Sequence, residues 1–240
     1  MSLQSMVSAK GLIAELVDVV AETYLRYPNR WFDLRRAQAF NLEDLRVYLK
    51  QFAFLARDFP RWLANVTANC PVLAVRQQLI QNMWDEDVKD SQFGDCHYNF
   101  LLRFGRAVGL RDEEIHNAEP FPTTFAAITS WDHISRTRSW VEGLAMVGGL
   151  ELINTEEIRG RIKLPRVKQA YAKLGLEPED YLFNALHEVK DEEHGSLNLS
   201  VVEQFAQTDE LRNKCKTAAR DAAMLFSLLL DGIYAGARGA

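Results

Sequence analysis

Apolar residues recur at spacings of three and four through most of this chain, the period of an amphipathic α-helix. Leu12, Ile13, Leu16, Val17, Val20 and Tyr24 mark one face of a first helix, and Tyr27-Pro28-Asn29 ends it. A short helical piece over Trp31–Ala39 follows, and Asn41 is placed to cap a longer helix whose face includes Leu45, Tyr48, Leu49, Phe52 and Leu55. Pro60 is expected to kink or split that helix, with Phe59, Trp62 and Leu63 continuing its stripe. Beyond Cys70-Pro71 the pattern predicts a helix over Val72–Glu86, a polar break at Asp87–Gly94, and helix again over Cys96–Val108. Gly109 and Pro120–Pro122 mark connections, and Thr123 or Thr124 is a candidate cap for a helix leading towards Trp140.

The run from Trp140 to Leu152 is apolar but holds Gly143, Gly148 and Gly149, which cost helix propensity and point to close packing or a kink. Helices over Glu156–Leu174, Glu177–Ala206 and Asp209 to about Tyr234 complete the reading. No β-hairpin pattern, repeat or low-complexity linker interrupts it. The expectation is an all-α protein, with residues 1–240 forming a single helical domain.

Composition narrows the class. An apolar fraction of 48% supports a sizeable core, and a formal charge of −5 without a long basic run argues against nucleic acid as the main ligand. Cys70, Cys96 and Cys215 are far apart and form no CxxC pair, which suits a reducing cytoplasm better than a disulfide framework. Met1–Lys10 lacks the pattern of a secretion signal. The most apolar stretch, Ala222–Ala235, is shorter than a bilayer span and carries Asp231, so it reads as a buried terminal helix. A cytoplasmic protein without a membrane span is expected.

Three features carry chemistry. In His187-Glu-Val-Lys-Asp191-Glu-Glu-His194 the spacings i, i+4 and i+7 place His187, Asp191 and His194 on one face of a helix. Two imidazoles and a carboxylate so arranged can hold one ion or bridge two, and such donors suit iron or manganese, with zinc an alternative. Glu188, Lys190, Glu192 and Glu193 then point to solvent on other faces. Read alone, the triplet fits a charged helix with chance histidines equally well.

The second feature is the acidic helix end Trp84-Asp85-Glu86-Asp87, followed after the break by His97; alone, it reads as a solvated terminus and a half-buried histidine. The third is Glu142, which sits in a very apolar segment, where a carboxylate is costly unless paired, protonated or bound to metal. A position at the rim, with the side chain reaching water, is the alternative. Glu151 lies nine residues on, near the helix end, and asks for no special reading.

Together these residues resemble the haem-oxygenase-like di-iron oxidases and oxygenases, especially the CADD-like group within the wider TenA/PqqC-like superfamily. The resemblance covers most of the chain. It rests on Tyr48-Leu-Lys-Gln-Phe52, Asp58-Phe-Pro-Arg-Trp62, Asn82-Met-Trp-Asp-Glu86, His97, Glu142 and the His-x3-Asp-x2-His pattern at 187–194. It implies a bundle of seven to eight helices, metal ligands Glu86, His97, Glu142, His187, Asp191 and His194, and two iron ions or an iron–manganese pair, without haem. The break between Glu86 and His97 is longer than in similar chains, so Asp85 or Asp87 stands as an alternative to Glu86.

Dioxygen and a small metabolite of the fatty-acid, amino-acid or amine class are the implied substrates, and a homodimer is implied too. Some members consume a tyrosine of their own chain with help from a lysine. Here Phe32 and Leu152 stand at those positions, which points to an external substrate. Trp84, Tyr98, Trp140 and Phe183 are candidate pocket walls, whereas His116 reads as an exposed helix end and His133 as structural more readily than as pocket lining. A metal-free cofactor-synthesis enzyme of the PqqC or TenA type and a non-enzymatic partner-binding bundle are the alternatives. The cysteines show no activating neighbours for thiaminase-like chemistry.

Overall fold

Asn41 shows how short polar residues set the helix boundaries in this protein. Its side chain accepts the Asp44 N–H while Asp44 accepts the Asn41 N–H, at 2.9 and 2.8 Å, a reciprocal cap that starts a 28-residue helix. The computed structural model describes residues 11–239, and only the backbone of residues 192–194. Met1–Lys10, where the secretion-signal pattern is missing, lies outside the described residues.

Among the described residues the chain is all-helical, with no strand. The helices are α1 (Leu12–Arg26), α2 (Arg30–Ala37), α3 (Leu42–Asn69), α4 (Leu73–Asp87), α5 (His97–Ala107), α6 (Asp112–His116) and α7 (Pro122–Thr137). They continue with α8 (Trp140–Glu151), α9 (Glu156–Arg161), α10 (Val167–Ala170), α11 (Leu182–Phe205) and α12 (Asp209–Arg238). Eight of them are eleven residues or longer, and these match the number of helices the resemblance implies.

Several boundaries differ from the sequence expectation, among them α11, which starts at Leu182, and three differences have a physical reason. Helix α3 runs unbroken through Pro60, which is buried with Phe59, Trp62 and Leu63, so packing offsets the backbone bond that proline forfeits. The helix expected over Glu156–Leu174 is two short pieces, α9 and α10. Lys163 takes a left-handed φ of 54° between them and Pro165 follows it. Helix α7 starts with Pro122 in its first turn and without a side-chain cap, so neither Thr123 nor Thr124 serves there.

Helix α8 lies against α3, α7, α11 and α12 and is buried along most of its length. A Cβ at Gly149 would stand 3.0 Å from the Ala219 backbone of α12, tighter than most such contacts. That glycine therefore marks close packing of α8 on α12, not a kink, and the same packing brings the end of α8 alongside α11. One contiguous apolar cluster surrounds it, from Leu12 on α1 to Ile233 on α12.

Candidate metal centre

Glu86, His97 and His187 come from three different helices and converge. One ligand atom from each lies within 4.8 Å of the other two. Glu86 is in the last turn of α4, His97 opens α5, and His187 lies early in α11. The loop between α4 and α5 makes this possible. It folds around Asp90, whose Oδ1 accepts the N–H groups of Gln92 and Phe93 at 2.7 and 2.9 Å. Gly94 supplies the left-handed turn (φ 86°) that lets its own N–H reach the Asp90 carbonyl. What reads in the sequence as a polar break is an ordered support for His97.

That support orients the ring. His97 Nε2 lies 3.1 Å from the fully buried Asp90 Oδ2, and Lys190 Nζ stands 3.4 Å from the same oxygen. With Nε2–H donated to Asp90, Nδ1 faces the site. It lies 2.8 Å from Glu86 Oε2, yet it makes no aligned hydrogen bond. His187 is oriented in a similar way, its Nδ1 lying 2.6 Å from the Phe183 carbonyl. The two rings meet edge to face with centroids 5.0 Å apart.

Two further carboxylates line the same cavity as Glu86 and His187. Asp191 is held by the Asn154 amide at 2.7 Å. Glu151 is held by Asn198 at 2.8 Å and Asn82 at 3.5 Å. Burial raises the pKa of Glu151 to about 8, with the negative charge of Glu86 adding to it. Burial, followed by the charge of Glu151, holds Asp191 well above the usual carboxylate range. For His97, burial pulls the pKa down, but the facing Glu86 and Asp90 outweigh it and raise it to about 9. Burial thus favours the neutral form of Glu151 and Asp191, while the facing Glu86 and Asp90 favour the charged form of His97. Divalent cations would satisfy the same groups, and mixed nitrogen and oxygen donors suit iron or manganese.

The structure therefore brings together Glu86, His97, His187 and Asp191 of the expected set. The side chain of His194 lies outside the described residues, as do those of Glu192 and Glu193. Neither Asp85 nor Asp87 displaces Glu86. Asp85 engages Gln81 and Lys190, and Asp87 is exposed. Glu142 is a correction, since it occupies the first turn of α8 and binds Ser139, with Oε2 2.6 Å from the serine hydroxyl and 3.2 Å from its N–H. It lies nine residues, about 13 Å of helix, from Glu151. Its apolar neighbours in sequence suggest burial, but a helix N-terminus needs an acceptor and found one there.

Glu188 and Lys190 also depart from expectation, being buried in ion pairs with Arg35 and Asp85 instead of facing solvent. Of the four aromatics expected to wall the site, Phe183 lines the cavity. Trp84 is half exposed, Trp140 packs on Phe205, and Tyr98 stacks on His116. Asp90, Asn154 and Asn198 carry no motif that singles them out in the sequence. Ser139-x-x-Glu142 is itself a capping-box pattern and could have explained Glu142.

Known proteins give this geometry a context. A 4-aminobenzoate synthase from Nitrosomonas europaea is 25% identical over 206 residues, covering 80% of this chain and 78% of its own. A TenA homologue from Pseudomonas syringae pv. tomato superposes with a TM-score of 0.75, covering 98% of this chain and 97% of that one at 14% identity. A CADD-like protein of unknown function from Nostoc punctiforme gives 0.69 at 16% identity, covering 94% and 98%. The model of one family, described as iron-containing redox enzymes, matches residues 46–227, which hold Glu86, His97, Glu151, His187 and Asp191. The chain belongs to that family of iron-containing redox enzymes and has its haem-oxygenase-like fold.

Proposed function

We propose that this protein is a non-haem oxidase or oxygenase that binds two iron ions and uses dioxygen to oxidise a small metabolite. The carrying observation is that Glu86, His97 and His187 converge, and that Glu86 and His187 share a cavity with the buried acids Glu151 and Asp191. These five side chains would hold the metal, joined by His194. That residue is included on the resemblance and on its position three residues beyond Asp191 along α11. Bound there, iron supplies the electron-transfer chemistry that lets dioxygen react with an organic substrate.

The remaining tasks fall to the chain itself. Asp90 accepts the Nε2 proton of His97, and the Phe183 carbonyl accepts the Nδ1 proton of His187, so each ring offers its other nitrogen. Asn82, Asn154 and Asn198 fix the carboxylates of Glu151 and Asp191. Trp31, Phe52, Phe59 and Phe183 wall the cavity. Phe32 lines this cavity and Leu152 is buried, so the positions implied for a sacrificed tyrosine and its lysine carry no heteroatom. That supports oxidation of a molecule brought from outside.

Anaerobic loading with ferrous iron, followed by metal analysis and exposure to oxygen, tests the reading. About two irons per chain are expected, with an optical change on adding oxygen, and His187→Ala should lose both. Wild-type protein that retains no iron after desalting would sink it.

A further inference from the structure

Among the described residues, the cavity beside the acidic cluster is lined mainly by apolar side chains, and Arg35 on α2 is the one arginine in that lining. Arg35 Nε–H donates to the Pro165 carbonyl at 2.8 Å, and Nη2–H donates to Glu188 Oε1 at 2.6 Å. Its remaining nitrogen, Nη1, makes no hydrogen bond to any described residue, although the side chain is only 11% exposed. Glu188 does not neutralise the surroundings. Its Oε1 also accepts the Val167 N–H at 2.9 Å and lies 3.7 Å from Arg159 Nη1. Two buried arginines share one carboxylate, which leaves an excess positive charge. Tyr171 stands in the same cavity within electrostatic reach of Arg35, and its hydroxyl makes no hydrogen bond among the described residues.

Donors left over on a guanidinium and a phenol, with excess positive charge beside them, favour an anion. The planar fork of arginine suits a carboxylate in particular. The aromatic walls, among them Trp31, Phe32, Tyr48 and Phe52, suit an apolar body attached to it.

We propose that Arg35 and Tyr171 form a carboxylate-anchoring subsite, so that the substrate is an apolar or aromatic carboxylic acid held by its anionic end. The role of this molecule as substrate rests on the iron-centre reading, whereas the anchoring contact does not. Arg35 acts as a specificity residue, choosing acids over their neutral analogues.

Quenching of tryptophan fluorescence, with Trp31 in the cavity wall, provides the assay. The probes are 4-phenylbutanoate and its neutral amide, titrated into the full chain both iron-loaded and after chelation. The acid is expected to bind at least about tenfold tighter than the amide, and Arg35→Gln to erase that preference in both forms. Tyr171→Phe should weaken the acid about threefold and leave the amide unchanged. The proposal is overturned if neither probe binds, if acid and amide bind alike, or if the preference survives in folded Arg35→Gln. It is also overturned if the preference vanishes on chelation, since metal would then hold the carboxylate. Should Arg35→Gln not fold, unchanged acid binding by Tyr171→Phe decides against the subsite. Loss of iron binding alone would defeat the iron reading and leave this measurement standing.

Discussion

Glu142 and Glu151 occupy the first turn and the last residue of α8, with the same carboxyl group and different surroundings. Glu142 meets the free N–H groups of a helix start, takes the Ser139 cap, and stays partly exposed. The helix dipole favours a negative charge at that end. Glu151 stands at the opposite, unfavourable end, buried beside Glu86 and Asp191. A protein tolerates that only if the charge is neutralised by a proton or a cation. The buried acid of the cavity is the less comfortable carboxylate, and the apolarity of the neighbours in sequence does not identify it.

The sharpest way to break this comparison is to remove each acid in turn. Glu151→Ala is expected to lose at least one of the two irons per chain by metal analysis, while Glu142→Ala keeps the wild-type count. The reverse result would return the ligand role to Glu142. Next in size is Asp90→Asn, which keeps the shape beneath His97 but weakens its hold on the ring. Iron affinity should fall about 10- to 100-fold in competition with a chelator, with the fold intact by circular dichroism.

A pH series probes the proton that stands in for metal. Glu151 has an ordinary value of 4.5 and about 8 in the fold, and His97 has 6.5 and about 9. Between these limits the folded metal-free chain holds protons that the unfolded chain releases, so its stability declines as pH rises through this range. The His97 contribution is complete below about 6.5 and lost through about 9. Iron replaces those protons, so the Tm gap between loaded and metal-free protein should widen from about pH 6 to about pH 9. A constant gap would show that neither group releases its proton on metal binding. The smallest effect belongs to the capping end of α8. Ser139→Ala should cost about 1 kcal/mol, lowering Tm by about 2–4 °C with no change in iron content.

Much of the architecture was legible because helical periodicity is a local property. The stripes on α1, α3 and α12 follow from their own residues, as does the Asn41 cap. Pro60 misleads because its cost is real locally but is offset by partners elsewhere in the core. The split between α9 and α10 carried a visible signal, Pro165, inside the stretch expected to be one helix.

For the site, the sequence by itself determined that His187 and Asp191 share one face of α11, since i and i+4 neighbours adjoin on any helix. It also supplied Glu86 and His97 as candidates on either side of a polar break. Packing between distant segments sets the wrap of the break around Asp90 beneath His97, the place of Glu151 and not Glu142 beside the acids, and Arg35 in the cavity lining. The reason is range. Glu151 meets Asn82 across 69 residues and Asn198 across 47, and Arg35 meets Glu188 across 153. Contacts at that separation leave no spacing pattern along the chain, because they are set by how α4, α8 and α11 pack and not by any one helix's own period.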